Sequence, residues 1–192
     1  MTFPTLDVDN EEPGYFTLNI DAGLAQYGKV KRNPDEKIAG DEDVASKKWL
    51  VSNFRLEIGD LPCDRVAKIE SFSWEQKVIK SEVGQLREDQ KEPALLKIPN
   101  LKLTISMEDL DPWRDWFKDY IRDGEINDEA EKSGQLTFLG LDMQEELATI
   151  SLVHVGIISL EQEAVEANKN AVARFDVELY VEEVSFDYYT TE

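Results

Sequence analysis

The chain has 192 residues, and its 21 basic and 41 acidic side chains give a formal net charge of −20 at pH 7. This balance disfavours binding to the outside of a nucleic-acid duplex or to an anionic membrane, because both need clustered lysine and arginine. The length suits one domain with one hydrophobic core.

Compartment signals are few. A single cysteine, Cys63, excludes an intrachain disulfide. The sequence contains no apolar run of about 18 residues, so no transmembrane helix is expected. The start of the sequence has no basic region followed by an apolar core, so no secretory signal is expected and cytoplasmic synthesis is the default.

Residues 1–48 differ from the rest of the chain. They contain an acidic cluster at Asp7, Asp9, Glu11 and Glu12, a possible short strand over 15–20 and polar loops over 33–43. They hold too few apolar residues for a core, so we predict an N-terminal acidic arm that lies over another surface. Residues 49–192 are predicted to form the β-barrel domain.

Alternation of apolar and polar residues predicts strands over 54–58, 66–79, 101–107, 136–141, 147–160 and 173–188. In the last strand the apolar positions are odd-numbered up to Val181 and even-numbered from Val184, which predicts a bulge or bend near Glu182 and Glu183. The charged segment 80–99, with Gly84 and two prolines, is predicted to be a long loop.

One helix is predicted over 111–124. Asp111 suits its cap, Pro112 its first position and Gly124 its end. Its aromatic residues share one face and are expected to pack on the sheet: Trp113, Trp116, Phe117 and Tyr120. The fold class is therefore mainly β, an antiparallel barrel or closed sandwich with one flanking α-helix.

Signals for catalysis are weak. The only histidine, His154, lies inside a predicted strand, where a structural role is the usual one. A calcium-loop pattern that starts at Asp7 fails at Glu12 and Leu18. Zinc spacing and phosphate-binding glycine loops are absent from the sequence. We therefore predict no enzyme activity, no catalytic residue, no cofactor and no metal.

The order of elements nevertheless resembles a known family. The matching segments are FRLEIGDLP at 54–62, VAKIESF at 66–72, IPNL at 98–101, the 113–120 helix, SGQLTFL at 133–139, GI at 156–157 and VELYVE at 177–182. Together they resemble tail tube proteins of contractile phage tails and injection systems, a family that includes the hemolysin-coregulated protein of type VI secretion.

The resemblance implies a β-barrel protomer that forms hexameric rings, stacked into a tube inside a contractile sheath. Implied partners are further copies of the chain, the sheath, baseplate and tail-terminator proteins, and DNA or protein cargo, with no membrane. The chain would then belong to a phage tail or injection-system particle. The shorter family members lack a counterpart of residues 1–48. The alternative to the repeating tube subunit is therefore a paralogue at the base or end of the tube.

Two sets of residues are candidates for assembly contacts. Apolar residues of the predicted 80–99 loop are expected to contact an adjacent ring: Val83, Leu86, Leu95 and Leu96. Polar strand positions are expected to face the lumen: Arg55, Glu57, Lys102, Thr104, Ser106, Asp176, Glu178 and Glu182. Periodicity alone leaves open that the second set faces bulk solvent in a monomeric, ligand-binding β-barrel. A carboxylate-based hydrolase is the least favoured reading.

Overall fold

The computed structural model describes residues 1–20, 48–81, 90–124, 126–127, 130–163 and 173–189. Within them are eleven strands: β1 (Thr2–Phe3), β2 (Leu6–Asp7), β3 (Phe54–Ile58), β4 (Val66–Ile69), β5 (Phe72–Ser73), β6 (Glu75–Ser81), β7 (Gln90–Lys97), β8 (Leu101–Ser106), β9 (Lys132–Leu139), β10 (Glu146–Gln162) and β11 (Arg174–Tyr188). One helical segment consists of a 3₁₀ turn (Met107–Asp109), the α-helix α1 (Leu110–Phe117) and a π-helical turn (Lys118–Arg122).

Seven strands form the main sheet in the order β2-β4-β8-β11-β10-β9-β3. Every pairing in it is antiparallel, and the sheet curls into a half-barrel. Strands β1 and β5 form one smaller sheet, and β6 and β7 form a separate hairpin. The mainly-β antiparallel fold with one helix is therefore confirmed.

The first residues of the predicted arm contribute to the core. Phe3 and Leu6 are fully buried. The Phe3 ring stacks on Phe72 at a centroid distance of 4.7 Å, and the Met1 amino group donates to the Trp74 carbonyl oxygen over 2.9 Å. The strand expected over 15–20 is absent from the described residues, where Thr17 makes only an isolated bridge to Thr2. Strands β1 and β2 were not predicted from the sequence, because two-residue strands are too short to show a period.

The helical segment begins earlier than predicted. Ser106 starts the 3₁₀ turn, and its hydroxyl accepts from the Glu108 N–H over 3.3 Å. Asp111 and Pro112 therefore lie within the first turn of α1, and the prediction that Asp111 caps the helix was wrong. Pro112 is tolerated there because N–H groups of the first turn have no partner inside the helix. The predicted end is confirmed, since Gly124 adopts a φ of 75°.

Two predictions for residues 66–99 were wrong. The expected strand over 66–79 is divided into β4, β5 and β6, because the chain changes its pairing partner from β8 to β1 and then to β7. The expected loop contains β7, which pairs with β6 as a hairpin. A hairpin that is solvated on both faces needs no alternation of apolar and polar residues, so periodicity cannot reveal it. Residues 82–89 lie outside the described residues.

The change of face in β11 is confirmed by burial. Val177, Leu179 and Val181 are buried, whereas Val184 is half-buried and Glu182 and Glu183 are exposed. The predicted bulge near Glu182 and Glu183 is not seen as a register shift there, and the irregularities of the two ladders that β10 forms lie in other positions. The pairing of β10 with β9 shifts between Leu152 and Val155, and its pairing with β11 shifts between Ile157 and Ser159.

Candidate assembly surfaces

Four of the predicted lumen residues lie side by side on β8 and β11. Lys102 is the register partner of Glu178, and Thr104 is the partner of Asp176. The Thr104 hydroxyl donates to Asp176 Oδ1 over 2.9 Å, and the Asn100 amide donates to Glu178 Oε1 over 2.7 Å. These hydrogen bonds fix the carboxylates on the surface of the sheet.

The same residues line a cavity of about 210 Å³. Its polar lining is Glu70, Lys102, Thr104, Ser159, Glu161, Asp176 and Glu178. Four of these side chains are carboxylates and one is an ammonium group, so the cavity is acidic. Such a surface repels a polyanion at short range, and screening at physiological salt limits the effect to about 8 Å.

The other predicted lumen residues lie elsewhere. Arg55 and Glu57 are on β3 at one edge of the sheet, where Arg55 Nε lies 3.3 Å from Glu57 Oε1 and its guanidinium also contacts Glu146 at 2.5 Å. Ser106 caps the 3₁₀ turn, and Glu182 is exposed beside His154. The lumen set is thus divided into separate groups, and its orientation in an assembly stays a prediction.

The β6–β7 hairpin carries the described part of the predicted inter-ring set. Leu95 is 76% exposed and Leu96 is 42% exposed. Val83 and Leu86 lie outside the described residues. Two further exposed apolar side chains of the hairpin, Val78 and Ile79, were missed by the sequence analysis because they were placed in a core-facing strand.

A groove of about 850 Å³ runs between this hairpin and the N-terminal segment. Its apolar lining comes from both sides: Met1, Leu18, Ile20, Trp74, Val78 and Leu96. Leu18 and Ile20 are themselves 64% and 78% exposed. Polar side chains, among them Glu75 and Lys91, also line the groove. The hairpin and residues 1–20 therefore border one groove with exposed apolar side chains on both sides, a feature typical of protein–protein contacts.

The aromatic side chains of the helical segment face the interior. Trp113, Trp116 and Tyr120 are buried, and Phe117 is partly buried against the core. Trp113 Nε1 donates to the Pro62 carbonyl oxygen and Trp116 Nε1 donates to the Ala130 carbonyl oxygen, each over 3.1 Å. Both indole N–H groups are thereby satisfied on burial.

A polar network at the end of the helical segment was missed by the sequence analysis. The Tyr180 hydroxyl donates to Glu131 Oε1 and also contacts the Tyr120 hydroxyl, while His154 Nδ1 lies 2.7 Å from Glu131 Oε2. The hydrogen bond from Tyr180 holds the pKa of Glu131 below its usual value, and burial raises the pKa of Tyr180. The single histidine was the one available signal, but sequence spacing could not reveal its partners.

Two further features of the described residues concern reactive groups: a possible metal site and the single cysteine. Glu131, His154 and Glu182 have ligand atoms within 4.8 Å of one another and could hold a metal ion. Burial raises the pKa of the Cys63 thiol to about 11, which keeps it protonated and poorly nucleophilic. Among the helices of the described chain, none has the length and hydrophobicity needed to cross a bilayer.

Comparisons with known structures identify the fold. A chain in the cryo-EM structure of the anti-feeding prophage tube-terminating cap is 17% identical with a TM-score of 0.59, over 71% of this chain and 89% of that one. A chain in the sheath–tube complex of the extracellular contractile injection system PVC is 17% identical with a TM-score of 0.54, over 71% and 88%. A chain of the anti-feeding prophage baseplate is 14% identical with a TM-score of 0.55, over 70% and 91%.

A comparison with curated proteins gives no match. The family model described as T4-like virus tail tube protein gp19 matches residues 51–185, which include strands β3 to β10, the helical segment and most of β11. The chain therefore belongs to the T4-like tail tube protein family and is a structural, tube-type subunit.

Proposed function

We propose that the chain forms hexameric rings that stack into the inner tube of a contractile phage tail or injection system. The tube is a conduit for DNA or protein cargo, and the function is mechanical, without catalytic turnover. The contractile sheath surrounds the tube, and baseplate and tail-terminator proteins contact its two ends. The chain is synthesised in the cytoplasm and incorporated into the particle.

The observation that carries this proposal is the open half-barrel of a tail tube family member. Among the described residues, the edge strand β3 pairs with β9 alone, and the opposite edge strand β2 has only two residues. An unpaired edge presents backbone N–H and C=O groups that another chain can bind. A closed ring of protomers satisfies such edges by symmetry.

We assign the lumen to the polar face around Lys102, Thr104, Asp176 and Glu178. Its four-carboxylate cavity supports an acidic wall from which a polyanion is repelled, so that nucleic-acid cargo slides without adhering. The competing account turns these acids outward to pair with basic residues of a sheath. A cryo-EM structure of the assembled tube separates the two, because a neutral or basic lumen excludes the acidic wall.

We assign stacking between rings to the β6–β7 hairpin. Its exposed side chains Val78, Ile79, Leu95 and Leu96 gain stability only when another surface removes them from water. The groove beside the hairpin, which has apolar and polar lining residues, supplies a recess into which a neighbouring chain could insert.

A specialised subunit at the base or end of the tube is the second candidate. It is favoured by the N-terminal region, which precedes the family match at residue 51. There β1 pairs through Thr2 with Ser73 of β5, the strand just before the hairpin. In this position residues 1–20 would modify the surface that we assign to stacking.

Mass photometry and negative-stain microscopy of the purified chain test the proposal. Six chains of 22.0 kDa give a ring of about 132 kDa. Rings that grow into tubes support the repeating subunit, whereas single rings that never stack support the end subunit. A sample that stays monomeric at high concentration, and in native particles, contradicts both and favours a monomeric binding module.

A further inference from the structure

The Glu131–His154–Glu182 cluster brings together three elements that are distant in sequence. Glu131 lies just before β9, His154 lies in β10, and Glu182 lies in β11 opposite His154, between the pairs Val153–Glu183 and Val155–Val181. Their ligand atoms all lie within 4.8 Å of one another. One imidazole and two carboxylates at this spacing form a compact set of donors for a metal ion.

The backbone of β10 is adapted to place His154 in this cluster. His154 adopts a φ of 53°, which is uncommon for a non-glycine residue, although histidine is among those that tolerate it. The shift in pairing between Leu152 and Val155 occurs at the same position. A bulge of this kind re-aims a side chain, and such strained positions concentrate at functional sites.

The Glu131 carboxylate is oriented by a second set of contacts. Its side chain is only 10% exposed, and the Tyr180 hydroxyl donates to Oε1, which leaves Oε2 directed at His154 Nδ1. The ring of Tyr180 lies over Gly156, where an added Cβ would come within 2.1 Å of it. Hydrogen bonds to a ligating carboxylate are the usual way in which proteins hold it in the direction of a metal.

We propose that Glu131 Oε2, His154 Nδ1 and a Glu182 carboxylate oxygen bind one divalent transition metal ion of the Zn²⁺ type. The imidazole nitrogen favours such ions over Mg²⁺ and Ca²⁺, which take oxygen ligands. Two ligand atoms bound to the same tetrahedral Zn²⁺ lie about 3.3 Å apart. His154 Nδ1 and Glu131 Oε2, now 2.7 Å apart, would move slightly apart and exchange their hydrogen bond for bonds to the ion. The exposed Glu182 carboxylate would be the third protein ligand, and a water molecule would take the fourth position.

Such an ion links the start of β9 to β10 and β11. It also neutralises charge where two carboxylates meet in a chain of net charge −20. The expected consequence is a structural clamp, so the melting temperature of the metal-depleted chain rises on addition of Zn²⁺ because only the folded state assembles the three ligands.

Isothermal titration calorimetry of the full-length, EDTA-treated and dialysed protein with Zn²⁺ tests the site. We expect one ion per chain, with Mg²⁺ and Ca²⁺ binding more weakly. Glu182→Gln and His154→Asn should each weaken Zn²⁺ binding about tenfold or more, as loss of even an outer-shell partner does. Asparagine tolerates the same backbone conformation as His154, and the melting temperature in EDTA reports whether each variant folds.

Two controls make the result specific. Glu183→Gln removes the same charge from the neighbouring exposed position of β11 and should leave Zn²⁺ affinity unchanged, as should Cys63→Ser. Co²⁺ in place of Zn²⁺ should give a visible absorption band that His154→Asn abolishes. The proposal is overturned if no stoichiometric binding occurs, if Glu183→Gln weakens binding as much as Glu182→Gln, or if Cys63→Ser removes the site.

Discussion

The helical segment and the β6–β7 hairpin are both rich in large apolar side chains, but they present them in opposite ways. Trp113, Trp116 and Tyr120 are at most 8% exposed and belong to the hydrophobic core. Leu95 and Ile79 of the hairpin are more than half exposed. Burial against the sheet therefore stabilises the protomer by itself, whereas the hairpin gains hydrophobic stabilisation only when another surface covers it.

This contrast separates folding from assembly within one chain. Changes in the helical segment should lower the free energy of unfolding of the protomer, and changes in the hairpin should leave it nearly constant.

The largest effect is expected for Trp113→Ala. Trp113 is fully buried, and its Nε1 donates to the Pro62 carbonyl oxygen. The substitution leaves a large cavity and an unsatisfied carbonyl group, so the free energy of unfolding should fall by about 3–5 kcal/mol. Chemical denaturation of the dissociated protomer, followed by circular dichroism, measures it.

Arg114→Ala is the matched control on the same helix. Arg114 is exposed, and its ion pair with Asp111 is worth little on the surface. A loss within about 0.5 kcal/mol is expected. If Trp113→Ala were equally mild and instead prevented assembly, the aromatic face of the helix would be an intersubunit surface.

A smaller effect is expected for Gly156→Ala. The added Cβ would lie within 2.1 Å of the Tyr180 ring, which must therefore move. Overpacking of this kind costs about 1–3 kcal/mol of unfolding free energy. In a Tyr180→Ala background the clash is absent, so Gly156→Ala should cost markedly less there, and an equal cost in both backgrounds would contradict the account.

Much of the fold could be predicted from the sequence, because period-two burial extends over long strands such as β8 and β11. The helix was recognised from a different period, since the aromatic residues from Trp113 to Tyr120 recur at the three- and four-residue spacing of one helical face. The hairpin was mistaken for a loop, since both of its faces are solvated and no alternation is needed. Strand β1 is too short to carry a period. The proximity of Glu131, His154 and Tyr180 depends on pairing between distant strands, which local spacing does not encode.

The acid dependence of stability should change in Glu131→Gln. The pKa of Glu131 is lowered in the folded protein, chiefly by the hydrogen bond from Tyr180. The carboxylate therefore stabilises the fold above its unfolded-state pKa of about 4.5, and this contribution is lost as the pH falls through the lower, folded-state value.

Urea denaturation of the metal-free protomer between pH 6 and pH 2 measures this contribution. Glu131→Gln should lose less unfolding free energy than the unmodified chain as the pH falls below 4.5. Glu183→Gln, which removes an exposed carboxylate outside the tyrosine network, should retain the full loss. Identical pH profiles for all three proteins would show that the network makes no contribution to the acid sensitivity of this end of the helical segment.

The smallest effect on unfolding is expected for the double substitution Leu95→Ser and Leu96→Ser. Both side chains are exposed in the protomer, so its unfolding free energy should change by about 0.5 kcal/mol or less. Stacking should nevertheless be lost, because the substitution removes apolar area that only the assembled tube buries.

Leu141→Ser is the matched control, since Leu141 is 63% exposed but lies in the turn between β9 and β10, away from the hairpin. Negative-stain images should then show tubes for Leu141→Ser and unstacked rings for the hairpin variant. Tubes of ordinary length from the hairpin variant would remove the hairpin from the stacking interface and leave its exposed apolar surface for another partner of the tube.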